Sequence, residues 1–295
     1  MKRLRSLALL SGLVVAAAGC TKNGAAPGVA DLDTVAMSSG SAAASAAPAG
    51  DVRIMIAPVK VGDRSTYTMD ETATMKVEAR PGQAIEVEQT KHTVRVVEVV
   101  AVDGGVATRA RVSFPAISDT STMGAERKDA PQPAAGKTYL VWREGTELHV
   151  THEDGSPVSP EEKKVAGGVG DEIGHADPMT VIMASKTWKP GIKVDLTPAE
   201  LDALNAEKRA EDDAPKAQAV SLTLTRADAT TATFEMVAAI QLQNAKGVMR
   251  MVLTAAVTIE RATGRGRELS GSGSMSGNLG MPVTGTMTAK ATYTR

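Results

Sequence analysis

Between residues 249 and 260 the apolar side chains fall on every second position. Met249, Met251, Leu253, Ala255, Val257 and Ile259 alternate with Arg250, Val252, Thr254, Ala256, Thr258 and Glu260. A helix has no such period, whereas a strand turns successive side chains to opposite faces, so this stretch is a strand with one apolar and one mixed-polar face. The segment before it repeats the pattern at Phe234, Met236, Ala238, Ile240 and Leu242, and Asn244-Ala245-Lys246-Gly247 between them supplies turn chemistry. The two segments predict a long antiparallel hairpin. Ala219 to Arg226 adds a strand upstream. Arg267 to Met275 and Val283 to Thr294 add two more after the turn Thr263-Gly264-Arg265-Gly266, which makes a meander of about five strands.

The first half reads alike. Strands are expected at Arg53 to Ala57, Ser65 to Ala79, Ile85 to Ala101 and Val106 to Phe114, separated by Val61-Gly62-Asp63, Pro81-Gly82 and Asp103-Gly104-Gly105. A further hairpin, Lys137 to Arg143 with Glu147 to His152, turns at Glu144-Gly145, and the Pro- and Ala-rich residues 115–136 read as a loop. Ser159-Pro160-Glu161-Glu162 and Thr197-Pro198-Ala199-Glu200 each place a capping residue, Pro at the first helical position and Glu at the third, so each opens a short helix. Asp177-Pro178 opens another through Ala184. Val59-Lys60-Val61-Gly62-Asp63 and Ile192-Lys193-Val194-Asp195 hint at an internal duplication.

Alternation, turn spacing and the missing strand-helix-strand rhythm together predict an all-β, mainly antiparallel fold with a few short helices. Long strands must twist and coil to enclose a core, which favours a strongly curved sheet or incomplete barrel over a tight sandwich. Gly271, Gly273 and Gly285 fall on the apolar face, where a missing side chain allows sharp bending. The β-rich body spans 52–295, either as one unit or as two similar halves, 52–188 and 189–295. The full chain has 2 Phe, 2 Trp, 3 Tyr and 14 Met, so the interior of this body relies on aliphatic residues and adaptable thioethers.

The N-terminus has a separate logic. Lys2, Arg3 and Arg5 precede an apolar run from Leu7 to Ala18, and Leu13 to Cys20 reads LVVAAAGC, ending on the only cysteine of the chain. About 12 apolar residues are too few for a spanning helix, which needs about 20. The run resembles the lipobox of bacterial lipoproteins. That resemblance implies a signal peptide over 1–19, cleavage before Cys20, and lipidation of Cys20 by diacylglyceryl and acyl chains. From Thr21 to Gly50 the chain is mostly Ala, Gly, Ser and Pro, too poor in large apolar residues to offset the entropy of ordering, so 20–51 is expected to be a lipidated, disordered tether. As a flexible coil its reach is roughly 30 Å. Loss of the three leader cations shifts the formal charge from −1 to −4, a mildly acidic balance that gives no case for nucleic acid.

Lipobox, low-complexity tether, Lys-Val-Gly-Asp start at Lys60 to Asp63, β-rich body and the Thr263-Gly264-Arg265 turn together resemble a group of exported bacterial lipoproteins with no assigned chemistry. The resemblance implies membrane attachment through the N-terminal lipid and a body in the periplasm or at the cell surface, with envelope proteins or lipids as partners. Thr21-Lys22 lacks the acidic residue associated with inner-membrane retention, which favours the outer membrane. The expected function is a non-enzymatic structural or binding module of the envelope. The alternative is a lipid or lipoprotein carrier of the open-barrel type, with Phe234, Met236, Ile240, Met249, Met251 and Leu253 as the apolar ligand face. A closed core that needs no ligand explains the same alternation.

No residue set calls for catalysis, a metal or a cofactor. His149 and His152, beside Glu153 and Asp154, sit three apart on a strand and face opposite sides, so a solvated hairpin end is expected. Asp171, Glu172, His175 and Asp177 lie in a Gly-rich stretch that reads as a mobile connector. SGSGSMSG over 270–277 centres on Met275, so it is no nucleophile elbow, and Gly168-Val169-Gly170 follows no strand of a dinucleotide fold. Met179, Met183, Met249 and Met251 have the soft sulfur of a Cu(I) site but fill core positions.

Overall fold

The computed structural model describes residues 50–80, 82–145, 147–206, 215–244 and 247–295; the leader, Cys20 and nearly all of the tether lie outside the described residues. The chain runs β1 (Val52–Arg53), β2 (Arg64–Arg80), β3 (Gln83–Asp103), β4 (Val106–Met123), β5 (Glu126–Asp129), β6 (Thr138–Glu144), β7 (Glu147–His152), α1 (Pro160–Ala166), a 3-10 turn (Gly167–Glu172), α2 (Pro178–Ala184), β8 (Thr187–Trp188), β9 (Lys193–Asp195), α3 (Pro198–Asn205), β10 (Lys216–Ala227), β11 (Thr231–Asn244), β12 (Gly247–Glu260), β13 (Gly266–Leu279) and β14 (Pro282–Thr294).

The fold is all-β and antiparallel. One sheet takes the order β7-β6-β4-β3-β2-β14-β13-β12-β11-β10-β9, with β5 paired to the far end of β4, and it is a curved sheet that does not close into a barrel. Its two halves are five-stranded meanders, one from β2 to β7 without β5 and one from β10 to β14. They join where β14 pairs with β2, from Val283 opposite Val77 to Thr294 opposite Thr66. A separate ribbon pairs β1 with β8.

Glycine lets two central strands lie close together. A Cβ on Gly273 would lie 2.6 Å from the Val252 carbonyl oxygen, and one on Gly271 would lie 2.7 Å from the Ala255 Cβ, so the backbones of β12 and β13 approach more closely there than any side chain permits.

Each helix starts where its cap demands. The Ser159 and Thr197 hydroxyls accept from the third-position amides of α1 and α3, while Glu162 and Glu200 reach back to the cap amides. In α2 the Asp177 carboxylate accepts from the Thr180 amide at 2.7 Å.

Two expectations fail. Residues 115–136 are not one loop, because β4 runs through Pro115 to Met123 and β5 pairs back onto it. Proline is tolerated there because the register with β3 shifts between Val94 and Val96, and pairing with β6 has already ended at Ser113. The strand expected over 53–57 stops at Arg53. Beyond it the Met55 and Ala57 amides bond to Arg261 and Thr263 carbonyls, which pins the segment to the β12–β13 turn.

Buried apolar residues form two clusters. The larger lies on the inner face of β2 and β10 to β14 and is closed by a cap made of the β1–β8 ribbon, α2 and α3, which contribute Val52, Ile54, Ile182, Met183, Trp188 and Leu204. The smaller joins the end of β3 to β4, β6 and β7 and is covered by Ala166 of α1 with Val169 and Ile173 of the next turn.

Candidate binding face and its polar flank

Alternation in β11 and β12 sends Phe234, Met236, Ile240, Met249, Met251 and Leu253 to the inner face, and the hairpin register sets Ile240 opposite Met251 and Leu242 opposite Met249. All six belong to the larger cluster and none is more than 4% exposed. The cap closes over them. Trp188 meets Phe234 edge-on at 4.8 Å between ring centroids, and its indole N–H donates to the Met183 carbonyl at 2.8 Å. The face is therefore filled by protein. Between β11, β12, β13 and β14 lies a cavity of about 20 Å³ lined by Met236, Leu253, Leu269, Gly271, Met287 and Ala289, room for about one water molecule.

Beside this apolar field the same face turns polar. Register carries Gly273, Met287, Ala73 and Gln89 across one row, and Gly271, Ala289, Glu71 and Lys91 across the next. Glu71, Gln89 and Arg95 are all buried. The Gln89 amide nitrogen donates to Asp119 at 2.9 Å, while its oxygen is buried with no hydrogen-bond partner, as is the Thr93 hydroxyl. The Arg95 guanidinium lies 5.0 Å over the Tyr67 ring, which itself packs 4.8 Å from Tyr293. The band is not legible in the sequence because β3 is polar on both faces from Glu88 to Thr93, and on β2 Glu71 is a single acid within the otherwise apolar alternation of Tyr67, Met69, Ala73 and Met75.

A second polar focus sits at the smaller cluster. Glu162 Oε1 lies 2.8 Å from Lys137 Nζ, accepts from the Tyr139 hydroxyl at 3.1 Å and stands 3.6 Å from His152 Nε2; its Oε2 accepts from the Ser159 amide at 2.9 Å. The Lys137 ammonium, then the Ser159 donors and the Tyr139 hydroxyl, hold the carboxyl down at about 2. Burial, then the neighbouring carboxylate, pushes the Tyr139 phenol well above its usual range. Glu162 is legible in the sequence as part of a capping box, whereas its partners Lys137 and Tyr139 are not. The first half of the capping box was the signal, but nothing local says which strand the carboxylate meets.

The remaining candidates disperse. His149 stacks on Trp142 and His152 on Tyr139, both at 5.3 Å, on opposite faces of β7; each is a half-buried ring on an aromatic, not a solvated hairpin end. Among the described residues no three His, Cys, Asp or Glu side chains are grouped as a metal site. Asp177 caps α2, and His175 Nδ1 lies 3.3 Å from the Ala176 carbonyl. The Gly-rich stretch around them is packed, with Val169 and Ile173 buried, and the Gly174 amide bonds to the Ala107 carbonyl. Met183, Met249 and Met251 are buried in the larger cluster, and Met179 packs against it.

Among the described residues no helix is long and apolar enough to cross a membrane. No protein-family model matches the chain, and no curated protein matches it. Among solved structures, a lipovitellin described for its lipid–protein interactions aligns at a TM-score of 0.41 with 6% identity, over 80% of this chain and 25% of its own, so this chain spans a quarter of that protein. An S-type phycobiliprotein lyase from Guillardia theta aligns at 0.20 with 7% identity, over 77% of this chain and 87% of its own. An outer-membrane channel from Pseudomonas putida F1 aligns at 0.19 with 8% identity, over 80% of this chain and 97% of its own. Likeness at this level decides neither ancestry nor function.

Proposed function

We propose that the chain is a lipid-anchored, non-enzymatic module of the bacterial envelope whose inner sheet face binds an amphiphile. One observation carries the binding part: an apolar face lies under a cap of short elements, beside an unfilled void and a buried polar band on the same face. Burying polar groups costs free energy that a purely structural core avoids. Two methionines, Met236 and Met287, line the void, and thioethers repack more readily than aromatics, so an acyl chain enters by displacing them and lifting the cap. The anchor rests on the LVVAAAGC run. One acyl chain holds a protein only reversibly, while two or three hold it durably at about 0.8 kcal/mol per buried methylene.

A second reading, a scaffold that binds no small ligand, is favoured by the tight filling of the six-residue face and a cavity far below the roughly 300 Å³ of ordinary ligand pockets. Native mass spectrometry of the exported, unlipidated body separates the two. Bound lipid, or uptake of a fluorescent fatty acid, supports the amphiphile reading; a clean mass without uptake leaves the scaffold. For the anchor, Cys20→Ala is expected to abolish acylation, and a Cys20→Ala chain that still partitions with its leader removed into the membrane fraction overturns it.

A further inference from the structure

We propose that the buried polar band on β3 is the head-group end of this amphiphile site, and that its ligand carries a hydrogen-bond donor, a hydroxyl or an ammonium, on that head. The inference rests on the amphiphile-binding reading above. Gln89 is 6% exposed, and its amide nitrogen is engaged by Asp119 while its oxygen meets no donor. A buried acceptor left unmet carries the full desolvation penalty of that group, and a core that only had to be filled would carry Leu or Met at this position. Its place in the sheet connects it to the void. The row from Gln89 passes Ala73, the smallest side chain of β2 on this face, to Met287, which lines the cavity. Two strand spacings, about 10 Å, separate Gln89 from Met287, a distance that the ester and first methylenes of an acyl lipid span.

The surroundings select a donor. What Gln89 offers is a carbonyl oxygen, with the Asp119 carboxylate beside it, and the next row adds the Glu71 carboxylate. Lys91 and Arg95 keep the patch near neutrality, so a bare anion gains little, whereas a glycerol hydroxyl or an ethanolamine ammonium meets acceptors. The Thr93 hydroxyl, also without a hydrogen-bond partner, extends the same strand face.

Every described strand lies between residues 52 and 294, so the chain from residue 21 onward, exported behind a cleavable leader without lipid, keeps all of the described fold and serves for the test. Binding is measured for 1-monooleoylglycerol against methyl oleate and for phosphatidylethanolamine against phosphatidylcholine, in wild type and in Gln89→Leu. The expected result is a preference of about tenfold for the donor-bearing member of at least one pair, which names the donor, and loss of that preference in Gln89→Leu with unchanged or raised thermal stability. If Gln89→Leu does not fold, Thr93→Val replaces it with the same expectation. No preference in either pair, or a preference that survives the substitution, overturns the head-group site and leaves amphiphile binding standing. Failure of wild type to bind any of the four lipids overturns the amphiphile reading itself.

Discussion

Glu162 does two jobs with one carboxylate, closing the first turn of α1 and pairing with Lys137 just before β6. Its carboxyl is held at about 2, below the unfolded value of about 4.3. A group depressed in the folded state stabilises fully above its unfolded value and loses that contribution as pH falls toward the folded one. Wild type is therefore expected to lose stability between about pH 4.3 and 2 more steeply than Glu162→Gln, as read by chemical denaturation at each pH; parallel curves would remove Glu162 from the acid response. Ser159→Ala removes the other half of the box and is expected to cost about 1 kcal/mol at neutral pH. At this scale sequence was informative where the partner is local. The Ser159, Asp177 and Thr197 caps were legible because a cap and its amides are three residues apart. The meeting of Glu162 with Lys137 and Tyr139 was not, since separations of 25 and 23 residues leave no local pattern.

Strands β11 and β12 were legible almost to their ends because each has one apolar and one polar face, whereas β4 was cut short at Pro115. A proline argues against a strand only where its amide would be needed, and the bulge opposite Arg95 removes that need. The Ser- and Thr-rich run from Ser118 to Thr122 then continues the strand with good β formers. Glycine in β13 is expected to be intolerant of size. Gly273→Val places atoms against the Val252 carbonyl and the Leu253 side chain and should cost about 1–3 kcal/mol, measured by denaturant unfolding. Phe234→Ala, which empties the site under Trp188, should cost about 3–5 kcal/mol. A milder loss there would mean that the cap settles into the space, as a movable lid would.

For the molecule as a whole, the cap and the sheet differ in how they are held. Long antiparallel ladders fix β11 to β13, while α2 and α3 are helices of two turns, linked through the pair between Lys186, just past α2, and Glu200 at 2.5 Å, and held to the sheet mainly by side chains. Amide hydrogen exchange is expected to be much faster in α2 and α3 than in β11 to β13, and equal protection would speak against an opening cap. A second tie crosses the molecule: Asp63, at the entry to β2, accepts from Arg265 at 2.8 Å and from the Lys60 amide at 3.1 Å. The Arg265 guanidinium lowers the Asp63 carboxyl below its usual range, and Arg265→Ala should cost about 1 kcal/mol. None of this long-range joining was legible, since alternation names strands and not their neighbours. The pairing of β2 with β14 has a kinetic consequence. The seam in the middle of the sheet unites segments some two hundred residues apart, so a growing polypeptide cannot knit its centre until the final strand has emerged. Until then β2 keeps a bare margin of amides and carbonyls, and a chaperone or a slow collapse must guard it from pairing with a stranger.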